Sequence, residues 1–278
     1  DESLLAAARF AEQTGAVLIH PFDHEDVIAG QGTVGLEILE QCPDVRTVVV
    51  CTGGGGLVSG IAAAIKATHP DVQVVGAQAA GAAAFPASLA AGAPTRLASM
   101  ATMADGIAVG MPGDVTFRHV SALVDRVVTV DDDALSRALL LSLERAKLVI
   151  EPAGAAGLAA VMDDPTSFEP PVVVVLSGGN IDPLLLAKVI RHGLIAAGRF
   201  LALRVRIPDR PGELAKLLGV LASSGANVLD VAHQRTGRTL HLDEVEVDLQ
   251  LETRGSEHSD EVVAALGAES YPVTQDQL

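Results

Sequence analysis

Thr52-Gly53-Gly54-Gly55-Gly56-Leu57-Val58-Ser59-Gly60 is the stretch on which the reading of this chain turns. Before it, Val45–Val50 is an apolar, β-branched run of the kind that forms a buried parallel strand. After it, Leu57–Ala67 is rich in Ala and Ile and reads as a helix. Four glycines therefore sit where a strand turns into a helix. Glycine admits positive φ and close approach by another group. The backbone N–H groups at such a turn form a nest at a helix N-terminus, which suits a phosphate. The helix dipole favours an anion there by roughly 0.3–1 kcal/mol, and each N–H bond to a charged oxygen adds on the order of 1.5–3 kcal/mol. Two other phosphate loops are excluded by spacing. A dinucleotide fingerprint starting at Gly53 or Gly54 would need its third glycine at Val58 or Ser59, and Gly60 is followed by Ile61-Ala62 rather than Lys-Ser/Thr. On the loop alone, a strand-to-helix turn without a ligand is an equal reading.

The length of 278 residues fits one large domain, or a medium one with a small companion. With 27 glycines, no Trp and one Tyr, close helix-to-sheet packing is expected and aromatic stacking sites are scarce. A net charge of −16 argues against nucleic acid or an anionic membrane as partner. Cys42 and Cys51 fit a reducing, cytoplasmic compartment better than a disulfide scaffold, and neither belongs to a metal motif. Val72–Thr95 is uncharged and long enough to span a bilayer, but its glycines and prolines read as a strand, a loop and a short helix. The chain opens at Asp1 without Met and goes straight into a helix-like run, Leu4–Gln13, which reads as the middle of a protein.

Taken in order, Val17–Ile19 reads as a short strand and His20–Asp23 as a loop. Ala29-Gly30-Gln31-Gly32-Thr33 reads as a tight turn opening a helix over Val34–Gln41. After the glycine loop and its helix come a strand at Val72–Ala77, a glycine-bearing loop at Thr102–Ile107 and a strand at Arg126–Val130. Asp131 is placed to cap a helix running to about Ala146. Glu151-Pro152-Ala153-Gly154 starts an Ala-rich helix, and Val172–Leu176 is a strand ending in Ser177-Gly178-Gly179-Asn180. Strand and helix alternate throughout, which predicts an α/β domain with a mostly parallel sheet. Both glycine loops then fall at the carboxyl ends of strands, where such sheets bind ligands.

The pattern changes around Gly193–Arg199. Leu201, Leu203, Val205 and Ile207 alternate with Ala202, Arg204 and Arg206, and Val245, Val247, Leu249 and Leu251 alternate with Glu244, Glu246, Asp248 and Gln250. These are two half-buried strands. With helices at Glu213–Ser223 and around Val262–Leu266, a strand at Ala226–His233 and a last one at Tyr271–Val273, the order is β-α-β-β-α-β, which is ferredoxin-like. The acidic residues Glu244, Glu246 and Asp248 read as a solvated sheet face rather than a metal site.

Ala29–Thr33, Gly53–Leu57, Ala104–Gly106, Glu151–Gly154 and Ser177–Asp182 together resemble, in order and spacing, the threonine ammonia-lyases. These are pyridoxal-phosphate enzymes of the class shared with serine racemase and the tryptophan synthase β-subunit. Phe200–Val273 resembles an ACT domain. The resemblance implies a catalytic portion over 1–198 and an ACT-like regulatory module over 199–278. It assigns Gly53, Gly54, Gly55, Gly56 and Leu57 to the cofactor's phosphate, Ser177 to its pyridine nitrogen, and Glu151 and Gly106 to its surroundings. A helix N-cap is the structural alternative for Ser177, and a helix-start carboxylate for Glu151. Serine racemase-like relatives hold a divalent ion where this chain has Gln78 and Ala84, so no metal site is expected.

The family's Schiff-base lysine lies in a Ser-Phe-Lys motif, absent here; the lysines are Lys66, Lys147, Lys188 and Lys216. The expectation is therefore a portion of an enzyme whose earlier part carries the lysine, with no catalytic residue in this chain and no lyase activity from it alone. The implied reaction is elimination of L-threonine to 2-oxobutanoate and ammonia, with L-serine as a second substrate. The alternatives are a serine racemase or hydroxyaspartate lyase, or a non-catalytic amino-acid-binding regulator. The ACT resemblance implies a homo-oligomer and a branched-chain amino acid effector at Asp209, Pro211 and Gly212, with Asn227 reaching it across paired modules.

Overall fold

The computed structural model describes residues 2–235 and 243–275. The chain divides into two compact units, Asp1–Ile181 and Asp182–Leu278.

In the first unit, helices α1 (Glu2–Thr14) and α2 (Glu25–Gln41) precede strand β1 (Thr47–Cys51) and helix α3 (Gly56–Thr68). Next come β2 (Gln73–Ala79), α4 (Ala84–Ala91), α5 (Asp114–Leu123), β3 (Arg126–Val130), α6 (Asp132–Leu141), α7 (Ala156–Asp163) and β4 (Val172–Val175). All three pairings are parallel, in the order β3-β2-β1-β4. Every residue of β1 is buried, as expected of a strand covered on both faces. Val48, Val50 and Val74 pack with Val58, Ile61 and Ile65 of α3. Val49 points the other way, where a methyl group built on Gly157 of α7 would stand 3.2 Å from the Val49 carbonyl oxygen. Each fully buried Val or Ile here contributes about 1.5–3 kcal/mol relative to exposure.

Two expectations need correction. Ala29–Thr33 is not a turn: α2 begins at Glu25 and runs straight through it. Gly32, and Gly35 beyond it, serve packing, whereas Gly30 has open space around it. A methyl group at Gly35 would stand 2.9 Å from the Ile61 carbonyl oxygen, and one at Gly60 would collide with the Ile28 carbonyl. The two helices approach closely because Gly32 and Gly35 of α2 and Gly60 of α3 carry no side chain where their backbones meet. Val17–Ile19 forms no strand: Val17 is 88% exposed and Ile19 67% exposed, and a lone extended run without a ladder partner has nothing to satisfy its backbone. Elsewhere the expected strands and helices lie within a few residues of the observed ones, although α6 stops at Leu141 rather than Ala146, and the compact units divide after Ile181, ahead of the 198/199 boundary. Asp131 caps α6, accepting from the Ala134 N–H at 2.8 Å.

The second unit opens with helix α8 (Pro183–Ala196), capped by Asp182. It continues through β5 (Phe200–Pro208), α9 (Glu213–Ser223), β6 (Asn227–Gln234), β7 (Glu244–Glu252), α10 (Ser256–Ala268) and β8 (Val273–Gln275). The sheet is antiparallel, in the order β6-β7-β5-β8. Leu203, Val205, Val247 and Leu249 meet Leu217, Leu221, Val262 and Leu266, so α9 and α10 cover one face. On the other face Arg204 lies 3.1 Å from Glu246 and 2.9 Å from Asp248, and Arg206 lies 3.3 Å from Glu246. The acidic row is thus paired with arginines across the strands. Among the described residues no cluster of His, Cys, Asp or Glu is arranged to hold a metal, and no helix is long and apolar enough to cross a membrane.

Candidate cofactor site

Strand order places the site. β1, β2 and β3 follow one another in one direction across the sheet, whereas β4 pairs on the opposite side of β1. The carboxyl ends of β1 and β4 therefore flank a topological switch point, where open α/β sheets form their ligand crevice. β1 runs into Thr52–Gly56, and β4 into Leu176–Gly178. Between these loops lies a cavity of about 270 Å³ whose lining includes Gly53 to Leu57, Gly106, Glu151, Ser177, Cys51 and Phe22. All eight residues assigned by resemblance to the cofactor are thereby brought together, from four separate stretches of the chain.

The glycines answer to two demands. A methyl group at Gly54 would fall on the Phe22 ring, and one at Gly56 would stand 3.1 Å from Phe22, so packing alone requires both. Gly55 is the N-cap of α3, with φ 96°, and a methyl group there would stand 2.6 Å from Phe85 and 3.0 Å from Thr116. The demand that points to a ligand lies in the helix end itself. No side chain caps α3, and its first turn holds no acid. The leading N–H groups of a helix need acceptors, and their end of the dipole is positive. An anion in the cavity meets both requirements.

At the other end, Ser177 Oγ lies 2.9 Å from Cys51 Sγ. Ser177 is not a helix cap, since α8 is capped by Asp182, and its hydroxyl lines the cavity instead. The Glu151 N–H donates to the Gly178 carbonyl at 3.1 Å. A methyl group at Gly154 would collide with the Ser177 carbonyl, one at Gly178 with the Glu151 carboxylate, and one at Gly106 would stand 3.2 Å from that carboxylate. Three glycines thus bring Glu151 and Ser177 close to one another. Lys66 and Lys147, the lysines of the first unit, are engaged elsewhere: Lys66 Nζ lies 2.9 Å from Asp125, and Lys147 Nζ donates to the Glu144 carbonyl at 2.8 Å. A bare helix N-terminus and a neutral hydroxyl lining one cavity of about 270 Å³ fit pyridoxal phosphate, which carries a phosphate and a ring nitrogen.

The family of pyridoxal-phosphate dependent enzymes matches residues 1–178, and the ACT domain matches residues 202–268. The L-threonine ammonia-lyase of Thermotoga maritima is 45% identical over 273 residues, covering 98% of this chain and 68% of that protein. That of Geobacter sulfurreducens is 44% identical over 274 residues, with the same coverage. The chain belongs to the threonine ammonia-lyase family. It spans about two thirds of the length of these relatives. The threonine deaminase of T.th. has a similar structure, with a TM-score of 0.62 and 41% identity over 64% of this chain and 62% of that one. Serine racemase of Oryza sativa subsp. indica is 41% identical over 182 residues, 63% of this chain and 53% of that protein. The threonine ammonia-lyase family thus accounts for both units, whereas the racemase match covers less of the chain.

In the second unit Asp209, Pro211 and Gly212 line a cavity of about 330 Å³ at the start of α9. Gly212 is the N-cap of that helix, with φ 94° and no capping side chain. Arg235, which sequence reasoning did not single out, also lines this cavity, with Nε 3.2 Å from Asp209. Asn227 is not among them. It pairs with Glu252 at the opposite end of β7 from Glu244, and its Nδ2 donates to the Glu252 carboxylate at 3.1 Å. Cys51 is the other residue missed in the first unit. Its contact with Ser177 spans 126 residues and exists only because β1 pairs with β4.

Proposed function

We propose that the protein acts as a threonine ammonia-lyase, deaminating L-threonine to 2-oxobutanoate and ammonia, with L-serine as a second substrate. The observation that carries this reading is the uncapped, acid-free N-terminus of α3 sharing one cavity with the Ser177 hydroxyl. The N–H groups of Gly56, Leu57 and Val58 would hold the cofactor's phosphate, with Gly55 in left-handed backbone turning the chain into α3 and Gly53 and Gly54 admitting close packing beside it. Pyridoxal phosphate, when bound, supplies an electron sink for the carbon that loses its proton. Ser177 would meet the ring nitrogen with a neutral hydroxyl, which does not hold that nitrogen protonated as a carboxylate does. The sink stays moderate, which suits prompt loss of a β-hydroxyl. Glu151 presents a carboxylate beside Ser177. Lys66 and Lys147 are engaged away from the cavity, and none of the four lysines lies in a Ser-Phe-Lys motif, so the amine that would take the substrate proton is proposed to come from another part of the protein.

The second unit is proposed to bind a branched-chain amino acid, isoleucine or valine, at Asp209, Pro211 and Gly212. The N–H groups at the start of α9 would take its carboxylate. Asn227 joins that site only from another copy of the chain, which is consistent with a homo-oligomer. The two free thiols suit the cytoplasm. The test is keto-acid release by the whole protein from L-threonine, L-serine and D-serine. Release from L-threonine is expected to exceed the others. Racemisation of serine without keto-acid release from threonine would overturn the assignment.

A further inference from the structure

Cys51 ends β1, is 5% exposed, and holds its sulfur 2.9 Å from Ser177 Oγ. The pairing of Val50 with Val175 fixes the spacing of the two strand ends, so this contact is built into the sheet. Both side chains face the same cavity. Burial pushes the thiol's pKa up, the Ser177 hydrogen bond opposes that shift, and the Glu151 charge adds to it. The group is therefore a protonated thiol at neutral pH.

A hydroxyl has one proton to give and two lone pairs to accept with, whereas sulfur accepts weakly. If Ser177 gave its proton to Cys51, it would turn a lone pair toward the cavity and repel an unprotonated ring nitrogen. If Cys51 gives its proton to Ser177, the hydroxyl proton is left to point into the cavity. We propose that Cys51 is a positioning residue, whose thiol donates to Ser177 Oγ and turns the Ser177 hydroxyl proton toward the cofactor's ring nitrogen. The role rests on the cofactor reading above.

The test uses ring-¹⁵N-labelled pyridoxine 5′-phosphate, which carries the nitrogen and the phosphate but no aldehyde, so lysine chemistry does not enter. It is titrated into the unsubstituted chain, Cys51→Ala and Cys51→Ser, with benzyl phosphate as a probe lacking the nitrogen. In the unsubstituted chain the nitrogen resonance should be that of a hydrogen-bonded, unprotonated pyridine. Cys51→Ala should bind roughly two- to tenfold more weakly, the worth of one hydrogen bond, and move that resonance toward the value of the free compound. Cys51→Ser should restore both, and benzyl phosphate should bind all three chains equally. An unchanged resonance in Cys51→Ala, or equal weakening of benzyl phosphate, overturns the positioning role and leaves the cofactor reading standing. If the unsubstituted chain binds pyridoxine phosphate no better than benzyl phosphate, the assigned contact at Ser177 falls and the Cys51 role falls with it.

Discussion

Ser177 and Gly55 occupy the two ends of the cofactor cavity, and each can be probed by one substitution. Ser177→Asp places a carboxylate against the ring nitrogen and keeps it protonated. In the whole protein this should slow threonine elimination by about tenfold or more, equivalent to ~1.4 kcal/mol at the barrier. Racemisation or transamination should rise. Elimination at the parental rate would show that Ser177 does not meet the nitrogen. Gly55→Ala forces a side chain into left-handed backbone and against Phe85. It should destabilise the first unit by about 2–5 kcal/mol, the sum of a left-handed residue and an overpacked core, as read by urea unfolding. At this scale the sequence was informative about function where a motif carried it, as at Gly53–Leu57 and Ser177. It was silent about Cys51 because nothing in a lone cysteine reveals which strand will lie beside it.

Helices α2 and α3 show how an element can mislead when read alone. Gly30, Gly32 and Thr33 look like a turn, because glycine weakens a helix by about 1 kcal/mol relative to alanine. Tertiary packing outweighs that cost, since Gly32, Gly35 and Gly60 let two helices touch backbone to backbone. The consequence is a contrast between neighbouring glycines. Gly60→Ala pushes a methyl group into the Ile28 carbonyl and should cost about 1–3 kcal/mol. Gly30 has open space around it within the same helix, so Gly30→Ala should stabilise by about 0.4–1 kcal/mol. Thermal unfolding of both variants measures the contrast. Equal destabilisation would mean that α2 does not run through Gly30. The strands were easier to place, because β1 and β4 are built on unbroken valine runs, Val48–Val50 and Val172–Val175, and β5 and β7 alternate strictly.

For the whole molecule, the change from unbroken to alternating apolar runs separated a parallel from an antiparallel sheet. The strand order was not legible, because β4 joins β1 only through long-range pairing, and that order creates the crevice. If the second unit senses amino acids, titrating the chain with isoleucine or valine should give a saturable heat, coupled to catalysis by roughly 1–3 kcal/mol. The absence of heat with either would leave that unit a subunit contact only. Everything proposed for the first unit requires that it seat pyridoxal phosphate with the phosphate at the bare end of α3. Equilibrium binding of pyridoxal 5′-phosphate, set against that of pyridoxal to the same chain, isolates that contact. The phosphate ester should bind at least about tenfold more tightly, since one charged hydrogen bond is worth ~1.5–3 kcal/mol. Equal affinity for the two compounds would contradict the assignment.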